Sequence, residues 1–141
     1  MIEGVRHYGV DDQKAYPSIT SVISWINREK WAAWRQKVGL EEANRKNKRA
    51  TNRGTGFHSI MEEFMANNDV TTMTQYTVPL LNLMFKAAKP YLEKRVTNVY
   101  QQETRMCSHK MCLAGTVDLV ADWDGELAII DFKTSEKEKP E

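Results

Sequence analysis

Two cysteines in 141 residues are too few for a disulfide scaffold and point to a reducing, cytoplasmic setting. They also cannot supply the four thiolates of the usual iron–sulfur cluster. Long apolar runs are missing, and none approaches the ~20 residues of a membrane-spanning helix. The opening stretch, MIEGVRHYGVDDQKAYPS, has neither an apolar signal core nor an Arg-rich, acid-poor transit pattern. Excess charge of one sign is missing too: the formal net charge is +1, so any grip on nucleic acid has to be local. What is present, 41% hydrophobic and 28% charged residues, is ordinary globular composition and excludes a disordered or collagen-like chain. The length suits one domain.

The near-neutral total hides an uneven distribution. Residues 28–53 hold nine Lys/Arg (Arg28, Lys30, Arg35, Lys37, Arg45, Lys46, Lys48, Arg49 and Arg53) against three acids. Residues 118–141 hold eight acids against three lysines. A basic front and an acidic back suit a protein that grips phosphate with one part and binds metal with another; solvated helix faces give the same pattern.

Apolar spacing predicts helices first and strands later. Tyr16–Ser21 reads as a loop feeding a helix, with Ser18 or Thr20 as N-cap, its hydroxyl accepting from a first-turn amide. Val22, Ile23 and Ile26 then share a side. Trp31 and Trp34 lie three apart among Arg28, Lys30, Arg35 and Lys37. That arrangement serves either helix packing or base stacking with phosphate pairing. Gly39 ends the helix and Glu41–Arg49 starts another. Arg53-Gly54-Thr55-Gly56 reads as a tight turn into a third, His58–Met65, whose stripe is Phe57, Ile60, Met61 and Phe64. Asn67–Asp69 breaks it. Residues 78–95 form a further amphipathic helix that Pro90 bends or ends. From Val96 the period becomes two, giving strands over 96–107, 111–122 and 126–134.

The chemistry concentrates in the last hairpin. Asp124-Gly125 is a two-residue type I′ turn signal. With that turn Trp123 pairs with Glu126, and the same register sets Asp118 opposite Asp131. Like charges at such a position destabilise the pair. Beside Val120 and Ile129, the two carboxylates either share a proton or bind a cation, and hard oxygens favour magnesium or manganese. Lys133, two residues past Asp131, projects from the same face, where an ammonium positions a metal-bound water or takes its proton.

Together, Gly115-x-x-Asp118, Asp131-Phe132-Lys133-Thr134-Ser135 and Arg53-Gly54-Thr55-x-x-His58-x-x-x-Glu62 resemble the RecB-like branch of the PD-(D/E)XK nucleases. The front, from Tyr16-Pro17-Ser18-Ile19-Thr20-Ser21 through Trp34-Arg35 and Val38-Gly39, is similar to exonucleases of the mitochondrial genome-maintenance type and their bacteriophage relatives. The resemblance covers residues 16–136.

It implies an α+β, restriction-endonuclease-like fold, with N-terminal helices packed on a mainly antiparallel three-stranded meander. One domain, 1–141, would comprise a basic helical DNA-contacting part (1–53), helices carrying the His motif (54–95) and a meander carrying the Asp and Asp-x-Lys motifs (96–135). Family members continue with a helix bearing Gln and Tyr and a further strand, so the domain is expected to be incomplete at its C-terminus. The implied ligands of Mg2+ or Mn2+ are His58, Asp118, Asp131 and the Phe132 carbonyl. Lys133 orients or activates water. Glu103 binds a second metal or supports the first, and Glu62 orients a ligand or a basic residue. Arg28, Lys30, Trp31, Trp34, Arg35 and Arg53 would contact DNA. The implied activity is metal-dependent exonucleolytic hydrolysis of single-stranded or end-containing DNA, in phage replication, recombination or host DNA degradation. The alternative is a catalytically inactive or truncated DNA-binding module of the same fold.

Overall fold

The structure is a computed structural model that describes residues 5–12 and 14–135. In chain order the elements are β1 (His7–Gly9), β2 (Ala15–Pro17), α1 (Ile19–Ile26), α2 (Arg28–Val38), α3 (Leu40–Met65), α4 (Pro79–Arg95), β3 (Val96–Ser108), β4 (Leu113–Trp123) and β5 (Glu126–Ile130). Two short 3-10 turns, Val70–Thr72 and Gln75–Thr77, join α3 to α4. The mixture is the expected α+β class. The chain forms two compact units: one gathers the chain up to Asn44 with Thr104–Val117, the other gathers Arg45–Glu103 with the chain from Asp118 onward.

In the first unit, the stretch read as a loop is partly a strand. Ala15–Pro17 pairs antiparallel with His7–Gly9, setting Tyr8 opposite Tyr16. Strands of three residues leave no alternation long enough to read. Ser18 is the N-cap of α1 yet makes no side-chain cap bond. Its hydroxyl is taken by Arg6, which donates at 3.2 Å, and by Thr20 at 2.6 Å. Ser18 is fully buried and bridges to Ala114 of β4. Next to it, a Cβ on Gly115 would sit 3.1 Å from Ile19 Cγ2, so the close approach of α1 explains that glycine. Neither α1 nor α2 contains a buried residue, and Ile23, Trp25, Ile26 and Trp31 are all at least half exposed. Gly39, with φ +84°, stops α2 as its position suggests.

The second unit carries the core. Phe57, Ile60 and Met61 of α3 bury against Val70 and against Leu81, Phe85 and Leu92 of α4, with Trp123 and Phe132 packed alongside. The stripe expected over 57–64 is therefore real, but its helix is longer. The two helices expected over 41–49 and 58–65 are one element of 26 residues, running unbroken through Arg53-Gly54-Thr55-Gly56. A mid-helix glycine costs about 1 kcal/mol relative to alanine. At Gly56 the compensation is contact: an added Cβ would lie 2.5 Å from Leu81 Cδ1. Pro90 does not end α4, which continues to Arg95.

β3, β4 and β5 form one three-stranded sheet in that order. Asp124 (φ 53°) and Gly125 (φ 86°) both have the positive φ of a type I′ turn, and Trp123 pairs with Glu126 as expected. The ladder runs to Leu119↔Ile130 and stops there. The strand expected over 126–134 thus ends at Ile130, one pair short of setting Asp118 opposite Asp131. Leu119 and Ala121 are fully buried.

Truncating Ile60 to Ala, at a side chain with no exposed surface, should cost about 2–5 kcal/mol of unfolding free energy in urea titrations. The same change at Leu83, 66% exposed, should stay within about 0.5 kcal/mol of the parent.

Candidate active site

Three separate stretches of the second unit bring polar groups together. Helix α3 presents His58, fixed in place because Phe57, Ile60 and Met61 around it are core residues. Strand β4 presents Asp118, half-buried next to the fully buried Leu119. Strand β3 presents Glu103, whose backbone is left-handed (φ 45°). A non-glycine residue in that region is strained, and such strain is found where a side chain has to be aimed. One ligand atom each from His58, Glu103 and Asp118 lies within 4.8 Å of the others.

The hydrogen bonds define how the group is held. The Phe132 amide donates to Asp118 Oδ2 at 2.6 Å, and His58 Nε2 meets the Phe132 carbonyl at 2.7 Å. A carbonyl only accepts, so Nε2 carries the hydrogen. The remaining ring nitrogen, Nδ1, then faces Asp118 Oδ1 at 3.5 Å. Two lone pairs face one another there unless a proton or a metal cation intervenes. The electrostatics point the same way. Burial raises the pKa of Glu103 above the ordinary carboxylate value, and the charges of Asp118 and Glu62 add to the effect, with His58 opposing them. An imidazole nitrogen, two carboxylates and a nearby carbonyl are the donor set of a divalent cation site, so these residues fit one.

The other residues singled out in the sequence are placed differently. Asp131 lies outside the ladder and outside this trio; its carboxylate forms an ion pair with Lys133, and both side chains are about half exposed or more. The carbonyl of Phe132 has one lone pair engaged by His58. Glu62 is exposed and reaches the site through its charge on Glu103. Arg53 is half-buried on α3 in the same unit. Arg28, Lys30, Trp31, Trp34 and Arg35 all lie on α2 in the first unit. Trp31 is half exposed and meets Trp34 edge-on at 5.9 Å. Arg28 pairs with Glu29 at 3.6 Å and stacks on Trp25 at 4.2 Å, an exposed aromatic that belongs to none of the motifs. No spacing rule announces the left-handed Glu103, because a positive φ in a strand has a sequence signal mainly when the residue is glycine or asparagine.

Carboxylates, a histidine and an Asp-x-Lys segment on a mixed sheet-and-helix fold are residue types that metal-assisted hydrolysis uses. Residues 31–141 match the model of the PD-(D/E)XK nuclease superfamily. The chain belongs to that superfamily. It is also similar to mitochondrial genome maintenance exonuclease 1 of Homo sapiens, with 27% identity over 132 residues and 88% of this chain covered. The chain spans 38% of the length of that human protein.

Divalent metal should stabilise the folded chain by mass action. Millimolar Mn2+ is expected to raise the thermal midpoint of the parent protein. It should leave His58→Ala and Asp118→Ala unshifted. An equal shift in parent and variants would place the ion elsewhere.

Proposed function

We propose that the protein is a magnesium-dependent deoxyribonuclease that removes nucleotides from single-stranded or end-containing DNA. The observation that carries this reading is the convergence of His58, Glu103 and Asp118 beside the Phe132 backbone, next to the Asp131–Lys133 pair. Membership in a nuclease superfamily and similarity to a protein named as an exonuclease support it.

Mg2+ bound there would neutralise phosphate charge and lower the pKa of a coordinated water. His58 and Asp118 would hold it, with Glu103 on a second position or buttressing the first. Asp131 and the second lone pair of the Phe132 carbonyl are the further oxygen donors that would complete the set. The Phe132 amide fixes which oxygen of Asp118 remains available. Lys133 forms an ion pair with Asp131, and its ammonium would orient the attacking water. On α2, Arg28, Lys30 and Arg35 grip phosphates and Trp31 offers a face for a base, with Arg53 of α3 adding a further positive charge.

The placement of Asp131 and Lys133 outside the trio favours a second reading, a DNA-binding module without turnover. Kinetics on an end-labelled single strand separate the two. The expected result is cleavage that needs Mg2+, stops with a chelator, and falls by about 10²–10⁴-fold in Lys133→Ala while strand binding is retained. Salt-sensitive binding with no turnover at any metal concentration would establish the module reading instead.

A further inference from the structure

Away from the metal-site residues, the first unit contains a cluster that none of the motifs accounts for. Tyr8 of β1 has the guanidinium of Arg6 over its ring at 5.2 Å and that of Arg105, from β3, at 5.7 Å. Its hydroxyl lies 3.4 Å from the Thr116 hydroxyl on β4. Arg6 is oriented by two hydrogen bonds from one terminal nitrogen, to Ser18 Oγ at 3.2 Å and to Thr20 Oγ1 at 3.1 Å. Ser18 is fully buried, so this end of the cluster is anchored in the fold. Arg105 is held by the ring alone among the described residues.

Two features of this cluster point to an anion. Each arginine lies within ~6 Å of the ring centroid, the range in which the aromatic face attracts a cation. Their like charges are thereby drawn toward one small ring, and among the described residues neither guanidinium has a carboxylate partner. Neutral hydroxyls hold Arg6 without cancelling its charge. A guanidinium has five N–H donors in a planar fork, and Arg6 uses one nitrogen for Ser18 and Thr20. The rest of that fork, the Arg105 fork and whichever hydroxyl of the Tyr8–Thr116 pair is not donating to the other are all donors, and a tetrahedral oxyanion is the ligand that takes several at once.

We propose that Arg6, Tyr8, Arg105 and Thr116 form a clamp for a backbone phosphate of a nucleic-acid strand. Arg6, Arg105 and Thr116 are exposed. That openness suits a phosphate carried on a polymer, whose neighbouring phosphates add their own contacts, better than a small anion that needs enclosure. The proposal rests on the nuclease reading for the identity of the strand, and the test keeps the two apart.

The measurement is anisotropy of a labelled single-stranded oligonucleotide with chelator present, as a function of salt. The slope of log K against log salt falls by about 0.7 for each phosphate of a single strand that the protein no longer neutralises. Arg6→Gln with Arg105→Gln should lower the slope by at least that much and weaken binding about tenfold at the lowest salt. The corresponding double Lys variant, which keeps both charges, should preserve the slope. Should the double Gln variant fold poorly, Arg105→Gln alone serves, since its guanidinium makes no hydrogen bond among the described residues.

An unchanged slope and affinity in the Gln variants overturns the clamp. So does a result in which millimolar inorganic phosphate shifts the Arg105 side-chain NMR signals while the DNA slope is unaltered, because the site then holds a free anion. Cleavage is read separately with Mg2+. A protein that cleaves with an unchanged slope loses the clamp and keeps the nuclease reading. A protein that shows the slope change but never cleaves keeps the clamp and loses the nuclease reading.

Discussion

The Asp118 carboxylate is the joint on which the second unit's polar cluster depends. One oxygen accepts the amide of Phe132, which fixes the chain just past β5. The other faces the imidazole of His58 on α3, whose opposite nitrogen returns to the carbonyl of the same Phe132. A strand, a helix and a loop far apart in the chain are thus tied through two side chains and the backbone of one residue. Hydrogen bonds to an ionised group are the stronger kind, contributing about 1.5–3 kcal/mol where a neutral one contributes about 1. The arrangement also holds the carboxylate in one orientation. Phe132 reinforces it sterically, its ring meeting Phe57 edge-on at 6.4 Å and His58 at 6.1 Å.

Charge makes that joint demanding. Glu103 is aimed at the same space from a strained backbone, and burial together with Asp118 and Glu62 resists its ionisation. Strain of this kind costs on the order of 1–3 kcal/mol and persists only where surrounding structure enforces it. Carboxylates kept close with a single imidazole to offset them form a place where positive charge is welcome. This is the opposite of what stability alone would select on a sheet of this size.

Much of this was legible in the residues, and what was not has identifiable causes. The hairpin was readable because Asp124-Gly125 admits essentially one turn type, and that turn fixes every pair beyond it. The stripe from Phe57 to Phe64 was readable because its period is unambiguous. The continuity of α3 was not, since Arg53-Gly54-Thr55-Gly56 has a turn's composition and only the contact with Leu81, far along the chain, explains a glycine inside a helix. His58, Asp118 and Glu103 were nameable from motif and resemblance. Where Asp131 would point was not, because the ladder ends one pair early and Asp118 takes a backbone amide where a facing carboxylate was expected. Short strands such as β1 and β2 leave too few residues for any period to register.

The unbroken helix α3 has a consequence for where positive charge can act. A continuous α-helix advances ~1.5 Å and turns ~100° with each residue, so sequence separation along it becomes an azimuth as well as a distance. Arg49 and His58 are nine residues apart in this one helix. They are therefore about 14 Å apart along the axis and half a revolution apart around it. With a hinge at Gly54 that angle would be adjustable; without one it is fixed by the hydrogen-bonded backbone of the helix. The charge of Arg49 is thus placed on the far side of the helix from the histidine. Any group that meets Arg49 therefore meets the helix on the face opposite His58, and the helix itself keeps the two apart.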